Sequence, residues 1–519
     1  MMLIDYIDRG VRTAPADPCL VGPDGTTLMT HEGFCDLTHR IARALLRDGV
    51  RPGDRIAVLS RNHPLALALV VGIVRAGAIW TAVNVASGSA DQATFLATVG
   101  CRRIIYQDDL DERASELAKL VAGLDESVGF GPAPDGGDGF DRWLASDGSR
   151  APGRPLEPDA VAMLLPTGGT TGRSKAVPIT NRQIHLMCLA FEIHLGEPAP
   201  PRYICATPMT HAAGLACFPT LAQGGAVIVH DGVTPDQILG SIGRNRASSI
   251  FLPPTALYKL LADPHVREYD YSSLRRFLIA GAPLAPERLA EAVEVFGPVM
   301  TQTFGQAEAP LICTVHEASE IAAAAADPSL TRRLASCGRS SAVARIEVMD
   351  DDGTLLGPGE SGEIVVRSDL VFRGYWEDPE ATAQAARRGG WYGTGDVGVR
   401  DEDGFVYIVD RRKDMIITGG FNVFPSEIEA FLHTLPAVGD CAVIGLPDPK
   451  WGEAVTAVIE ARPGSVVDTE SVLAQCKAHL GSVKAPKSII LRDLPRSGIG
   501  KVLKRTLREE YWASTTRRI

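Results

Sequence analysis

Thr167-Gly168-Gly169-Thr170-Thr171-Gly172-Arg173-Ser174-Lys175 follows a short apolar run at residues 161–165. Glycines let a backbone turn its N–H groups toward an anion, and threonine hydroxyls add donors of little volume. Lys175 supplies a point charge for the same anion. The segment reads as a phosphate-gripping loop delivered by a strand, which points to nucleotide chemistry on an α/β scaffold. Its spacing departs from the common P-loop, because Arg173 rather than lysine follows Gly172. Taken alone, it is also compatible with a flexible Gly/Thr surface loop.

Outward from this loop, the first half of the chain alternates strand and helix signals. Arg55-Ile56-Ala57-Val58-Leu59-Ser60 precedes a helix-like run at 64–76, closed by Gly77. Ile79-Trp80-Thr81-Ala82-Val83 and Arg103-Ile104-Ile105-Tyr106 repeat the strand signal, and more follow at 226–229, 249–252 and 277–279. Strands separated by helix-length segments predict parallel α/β units. Residues 129–139 and 151–155 read as loops, and the alanine-rich 321–326 as a helix. From about residue 340 the texture changes to antiparallel hairpins. After Asp410-Arg411-Arg412-Lys413-Asp414 the chain restarts as a compact unit. The expected fold is α/β: a large N-terminal domain of parallel α/β subdomains plus a small β-barrel-like part, residues 1–412, then a small mobile α+β domain, residues 413–519.

A chain of 519 residues exceeds the size of a single core. With 52 basic against 63 acidic residues the net charge is −11, which argues against general nucleic-acid or anionic-membrane affinity. Ten cysteines without a CxxC pair suggest neither a zinc site nor a disulfide framework. No signal-peptide pattern and no membrane-length apolar run appear, so a cytoplasmic location is expected.

Four further motifs follow the loop in order. They are Gln302-Thr303-Phe304-Gly305-Gln306-Ala307-Glu308, Trp391-Tyr392-Gly393-Thr394-Gly395-Asp396, the stretch from Asp410 through Gly419-Gly420-Phe421-Asn422-Val423-Phe424-Pro425-Ser426-Glu427-Ile428-Glu429, and Pro495-Arg496-Ser497-Gly498-Ile499-Gly500-Lys501. In this order and spacing they resemble the adenylate-forming superfamily of acyl-CoA synthetases, carrier-protein adenylation domains and firefly-type luciferases. The resemblance covers nearly the whole chain, from Ala76 to Lys501. It implies attack of a carboxylate on the α-phosphate of ATP, release of pyrophosphate, and transfer of the acyl group from AMP to a thiol. Such a transfer needs charge neutralisation and positioning more than a strong nucleophile.

The resemblance also implies roles. Thr167 through Gly172 and Lys175 would hold the outgoing phosphates, and Thr303, Phe304 and Gly305 would also belong to the nucleotide-binding site. Glu308 would help bind Mg²⁺, a hard ion that prefers oxygen ligands; a solvated helix-start acid is the plainer account. Asp396, after Gly393-Thr394-Gly395 read as a tight turn, would accept from both ribose hydroxyls, with Arg411 reaching the ribose from the other side; a capping aspartate is the alternative. Gly281, Ala282 and Pro283 would pack on adenine, or form a plain strand-to-helix turn. Lys501 would bridge carboxylate and α-phosphate, although a loop lysine is ordinarily just solvated. Lys413 occupies the hinge position about which the small domain rotates, presenting Gly419 and Gly420 to the thiol. His211 matches a gate beside the acyl pocket, or is a satisfied core histidine.

Three departures stand out: Ser174 and Ala176 in the phosphate loop where Pro and Gly are usual, Ala307 in place of threonine, and Phe304 in place of tyrosine. One lost hydroxyl contact costs about 0.5–1.5 kcal/mol, which bears on rate rather than reaction class. The 419–429 stretch resembles acyl-CoA synthetases more than amino-acid-activating domains, and only eighteen residues follow Lys501, so no fused carrier domain is expected. Free CoA is the expected acceptor. The alternatives are a stand-alone ligase loading a separate carrier protein, and a non-catalytic nucleotide-binding regulator prompted by Ala307. The expected acyl pocket, from 211–214, 251–254, 281–282 and 309–312, offers no fixed cation for a second carboxylate. A medium-chain or aromatic monocarboxylic acid is therefore expected. Homodimers are common among relatives.

Overall fold

The computed structural model describes residues 1–131, 137–145, 149–151, 157–167, 175–411, 414–419, 421–496 and 502–515. The chain divides into two compact units: residues 1–346 with 366–392, and residues 347–365 with 393–519.

The first unit contains two largely parallel sheets. In the six-stranded sheet the order is Glu126–Phe130, Arg103–Gln107, Arg55–Leu59, Ile79–Val83, Val161–Thr167 and Lys175–Thr180. Its central strands, Arg55–Leu59 and Ile79–Val83, are near-continuous apolar runs, as expected where both faces are covered. Leu59, Val83, Phe95, Leu96, Ile104 and Leu117 form one core around it. All neighbours pair in parallel except the last two strands, which form an antiparallel hairpin with Thr167 opposite Lys175. The phosphate-loop candidate is thus the connection of a hairpin, which the sequence reading did not foresee.

Helix Pro64–Arg75 is buried on every side, in keeping with its unbroken apolar sequence and the proline at its first turn. Its one charged residue, Arg75, is buried but paired with Asp8 at 2.6 Å. Cys35 and His39 bring ligand atoms within 4.8 Å of the Asp8 carboxylate, yet the guanidinium already neutralises it, so the group is an ion-pair core and not a metal site.

The nine-stranded sheet runs Arg339–Ser340, Ala309–His316, Met300–Gln306, Arg276–Ile279, Ser249–Leu252, Arg202–Cys205, Ala226–Val229, Pro18–Val21 and Thr27–Thr30. The strands from Met300–Gln306 to Pro18–Val21 are parallel, and antiparallel strands close both edges. Ile250, Leu252, Phe277 and Ile279 pack with Leu239, Leu257, Leu260 and Leu289 from the covering helices.

The second unit has its own core. Strands Val438–Asp448 and Gly452–Ala461 form a long antiparallel pair, and the free edge of Gly452–Ala461 takes both the Ile416–Thr418/Phe421–Val423 hairpin, at Gly452, and Ser488–Leu491, at Thr456–Ile459. Helix Pro425–His433 buries Ile428 and Leu432 against this sheet, together with Val443, Val455 and Ile459. A second five-stranded sheet stands where a barrel-like part was expected, with Arg345–Met349, Ser361–Arg367, Trp391–Arg400 and Ala386–Arg387 in that order and Val406–Arg411 also paired to Trp391–Arg400. Among the described residues no helix is long and apolar enough to cross a membrane, and all ten cysteines are free.

Candidate active site

In open α/β sheets, ligands sit beyond the carboxyl ends of the parallel strands. In the nine-stranded sheet those ends belong to Arg202–Cys205, Ser249–Leu252, Arg276–Ile279 and Met300–Gln306. They lead respectively toward His211, Pro253–Pro254, Gly281–Pro283 and the Phe304–Glu308 motif. Four of the sequence-predicted segments therefore leave one edge of one sheet.

Gly281 adopts φ +91°, a conformation that L side chains rarely reach, with open space where a Cβ would stand. Gly305 is required for a different reason. A Cβ there would lie 2.6–2.8 Å from the backbone of Leu311, which itself adopts φ +63°. The two strands of this motif cross so closely that only glycine fits. Beside it, Gln302 Oε1 and Thr303 Oγ1 are buried without a hydrogen-bond partner among the described residues. Orphaned buried acceptors of this kind are uncommon in native proteins and suit a site that takes a polar ligand.

Glu308 lies between Met300–Gln306 and Ala309–His316 and is only 7% exposed, so it is no solvated helix-start acid. The Tyr375 hydroxyl donates to Glu308 Oε1 at 2.7 Å, and the Phe372 amide donates to the Glu308 carbonyl at 2.7 Å. Burial and then the Glu308 charge push the Tyr375 phenol far above its usual range, so it remains a donor. The Lys175 ammonium stands 4.6 Å from the centre of the Tyr375 ring. Tyr392 donates to Gln306 Oε1 at 2.8 Å, and Phe372 packs edge-on against both tyrosines. An aromatic bracket thus joins the phosphate-side lysine to the carboxylate expected to hold a metal. Tyr375 had no part in the sequence reading, and Gln306 and Tyr392 were quoted there without a role.

His211 precedes helix Ala212–Ala222 and is half-buried, and burial holds its ring below the ordinary histidine range. The Asn84 side-chain amide donates to His211 Nε2 at 3.3 Å. Asn84 is itself fixed by the Ala86 amide at 2.9 Å and by the Gln92 side chain on its carbonyl at 2.7 Å. A neutral imidazole accepting from an amide offers no fixed cation. Gly214, one turn on, has the Met209 carbonyl 1.8 Å from where a Cβ would be, so helix and preceding loop touch backbone to backbone.

In the second unit, Gly393-Thr394-Gly395 is not a tight turn but part of the continuous strand Trp391–Arg400, with Gly395 at φ +73°. Thr394 donates to the Ile364 carbonyl at 2.7 Å and accepts from the Asp396 amide at 3.1 Å; Glu363 accepts from the Gly395 amide at 3.0 Å. These bonds replace regular pairing around the glycine. Asp396, 4% exposed, lies directly across the ladder from Arg411, whose Nε stands 3.2 Å from Asp396 Oδ1. The two expected ribose ligands are thus brought together as an ion pair.

Gly419 adopts φ +57°, donates its amide to the Trp451 carbonyl at 2.7 Å, and has that indole 3.0 Å from its would-be Cβ. Trp451 is 38% exposed, with Lys450 and Lys487 at 4.7 Å and 5.7 Å from its ring centre. Burial, with Lys477 adding repulsion, lowers the Lys487 pKa from its usual value. An exposed aromatic face flanked by two ammonium groups suits a flat base carrying phosphates. Sequence reasoning missed Trp451, because a single tryptophan after Pro449-Lys450 belongs to no pattern; the adjacent lysine is the one signal that could have found it.

Gly168, Gly169, Thr170, Thr171, Gly172, Lys413, Gly420 and Lys501 lie outside the described residues.

Comparison with known proteins extends this geometry. The AMP-binding enzyme family matches residues 7–376, and the AMP-binding enzyme C-terminal domain matches residues 427–501. A medium/long-chain-fatty-acid–CoA ligase of Mycobacterium tuberculosis is 36% identical over 513 residues, covering 95% of this chain and 88% of that protein. A feruloyl-CoA synthase of Amycolatopsis sp is 36% identical over 490 residues, covering 94% and 95%. Among solved structures, ATP-bound MatB of Rhodopseudomonas palustris superposes with a TM-score of 0.87 at 30% identity, covering 99% of each chain.

Proposed function

This chain belongs to the AMP-binding enzyme family of the adenylate-forming superfamily, and from that premise we propose that it joins a monocarboxylic acid to CoA. In the first step a carboxylate oxygen attacks the α-phosphorus of ATP, and the bond to the β-phosphate oxygen breaks to release pyrophosphate. In the second, the CoA sulfur attacks the acyl carbon, AMP leaves with the electron pair, and the thiol proton passes to solvent.

The observation that carries this reading is the bracket in which Tyr375 touches both Glu308 and Lys175. It sets a carboxylate and an ammonium beside the strand ends where a nucleotide would lie. Lys175 would bind the phosphates with the 167–172 loop, and Thr303 offers its orphaned hydroxyl oxygen. Glu308, with one oxygen oriented by Tyr375, would hold Mg²⁺, whose chemistry is to neutralise phosphate charge. Asp396 and Arg411 would bind the ribose, and Gly281 through Pro283 the adenine. Lys501 would bridge carboxylate and α-phosphate, Lys413 would be the hinge of a lid beginning at residue 413, and Gly419–Gly420 would line the thiol path. Trp451, Lys450 and Lys487 would receive the nucleotide end of CoA. His211, held neutral by burial, favours an aliphatic or aromatic monocarboxylic acid over a dicarboxylic one. Cytoplasmic location and a homodimer complete the reading.

The test is pyrophosphate release with ATP and Mg²⁺ across short to long fatty acids, benzoates and cinnamates, with and without CoA. Multiple turnovers that require CoA with one class of acid support the ligase. A single stoichiometric burst unaffected by CoA would transfer the reading to a carrier-protein loader. Silence across the panel would favour a non-catalytic nucleotide binder.

A further inference from the structure

Lys501 lies between Arg496 and Val502 in the sequence, and these two residues pair across an antiparallel bridge. The Leu503 amide adds a bond to the Pro495 carbonyl at 2.8 Å. On the outgoing side Arg496 is held by Asp440 at 2.8 Å and Glu460 at 3.1 Å. On the returning side Lys504, the first residue of helix Lys504–Thr515, reaches Glu429 at 2.7 Å and 2.9 Å from its two oxygens. Glu429 also accepts from the Val443 amide at 2.6 Å. Arg496 is therefore tied to strand Val438–Asp448 through Asp440 and to its neighbour Gly452–Ala461 through Glu460, and Lys504 is tied to the first of these strands through Glu429 of helix Pro425–His433.

The Glu429–Lys504 pair is largely enclosed, with the two side chains 16% and 19% exposed. Burial opposes the Lys504 charge, but Glu429 and then Asp410 outweigh it and hold the ammonium above its usual range. Two charges withdrawn from water gain little net stability over apolar side chains of similar size. The helix already has an apolar anchor in Leu507, which is fully buried with Ala442, Ile444 and Val458. What the ion pair adds is register: bidentate contact fixes where the chain begins its helix, three residues after Lys501. One turn along the same helix face, Arg508 holds Asp414 at 2.7 Å, immediately after Lys413. Glu429 and Asp414, the residue after Lys413, are thus tied to one turn of the helix that begins three residues after Lys501.

We propose that Glu429 and Lys504 are positioning residues for acyl adenylation, setting the register of the chain that presents Lys501. The inference rests on the ligase reading above, in which Lys501 bridges carboxylate and α-phosphate in the first half-reaction and the rotation about Lys413 that presents Gly419 and Gly420 to the thiol then withdraws it.

The test compares Lys504→Met, Lys504→Arg and Glu429→Gln with the parent enzyme, using the acid the panel selects. In Lys504→Met, kcat for ATP–pyrophosphate exchange should fall about 10²-fold with the ATP KM within about threefold, because a misplaced catalytic group loses rate rather than ground-state binding. Thioester formation from presynthesised acyl-AMP and CoA should stay within about threefold, Glu429→Gln should share this split, and Lys504→Arg should recover most of the exchange. Equal losses in both half-reactions, or exchange unchanged in Lys504→Met, would overturn the proposal. Hydrogen exchange at the Leu503 amide reads the loop base without substrate. It should quicken about tenfold in Lys504→Met and stay unchanged in Lys501→Ala. If the parent enzyme shows no acid-dependent exchange, the ligase reading fails; the pair is then judged by Leu503 alone, and an unaltered amide sinks it.

Discussion

Tyr375 donates to Glu308 Oε1 at 2.7 Å while its ring lies 4.6 Å from the Lys175 ammonium. One phenol therefore orients the acid and backs the base across what would be the phosphates. Tyr375→Phe keeps the ring and removes only the hydroxyl. A hydrogen bond to a charged acceptor contributes about 1.5–3 kcal/mol, so adenylation should slow at least about tenfold. The Mg²⁺ concentration for half-maximal rate should rise, since Glu308 loses its orientation. Steady-state kinetics titrated with Mg²⁺ checks this. An unchanged metal dependence would show that the carboxylate is held by its backbone alone.

Those parts of the site written as contiguous motifs were legible before the fold was known. Strand runs such as Arg55–Leu59 and Ile79–Val83, and the glycines at 281 and 305, announce themselves by composition and spacing. The partners that orient the site were not legible, because they arrive from far along the chain. Tyr375 reaches Glu308 across 67 residues, and Asn84 reaches His211 across 127. No periodicity records such meetings. Glycine also misled once: Gly393-Thr394-Gly395 reads as a turn, whereas Glu363 and Thr394 satisfy the backbone and let the strand run through a left-handed Gly395. Residues 129–139 read as loop, yet helix Gly137–Trp143 begins there, held by Phe140 against Phe130 and Trp143. A seven-residue helix is too short to show a period.

Gly305 faces the backbone of Leu311 at distances no Cβ occupies, and Leu311 already sits at φ +63°. Gly305→Ala must push that strand away, since the obstacle is backbone rather than a flexible side-chain tip. Overpacking of this kind costs about 1–3 kcal/mol. The displaced strand follows Glu308, so adenylation should fall by more than stability alone predicts. Chemical denaturation and pyrophosphate exchange, measured together, separate the two effects. A fully active, equally stable variant would contradict the contact.

Ala307 stands beside Glu308 where the family pattern has threonine. If the missing hydroxyl contact limits the rate, Ala307→Thr should raise adenylation by about two- to tenfold, the equivalent of one neutral hydrogen bond. Single-turnover measurement isolates that step from product release. A slower variant would mean that the site has closed around the alanine methyl.

Three histidines of the first unit, His39, His230 and His316, are 7%, 2% and 0% exposed. Burial lowers each pKa to about 4, with nearby arginines adding to the effect. His39 accepts the Ala151 amide at Nδ1, and His230 meets the Ser241 hydroxyl at 2.9 Å. The native state therefore keeps all three neutral through a range in which the unfolded chain protonates them near pH 6.5. Because the unfolded state binds more protons, stability falls as pH drops from about 6.5 toward about 4, and these groups cause no further loss below that. With all three contributing, the slope approaches about 4 kcal/mol per pH unit. Asp8 acts in a lower window: burial opposes its charge, but Arg75 prevails and holds it below the usual carboxylate range. Its contribution persists until the pH falls through that depressed value. Urea midpoints at pH 7, 6 and 5 should decline steadily, and His230→Gln should remove about a third of the share these three rings contribute. A flat profile across that interval would mean these rings are protonated in the native fold.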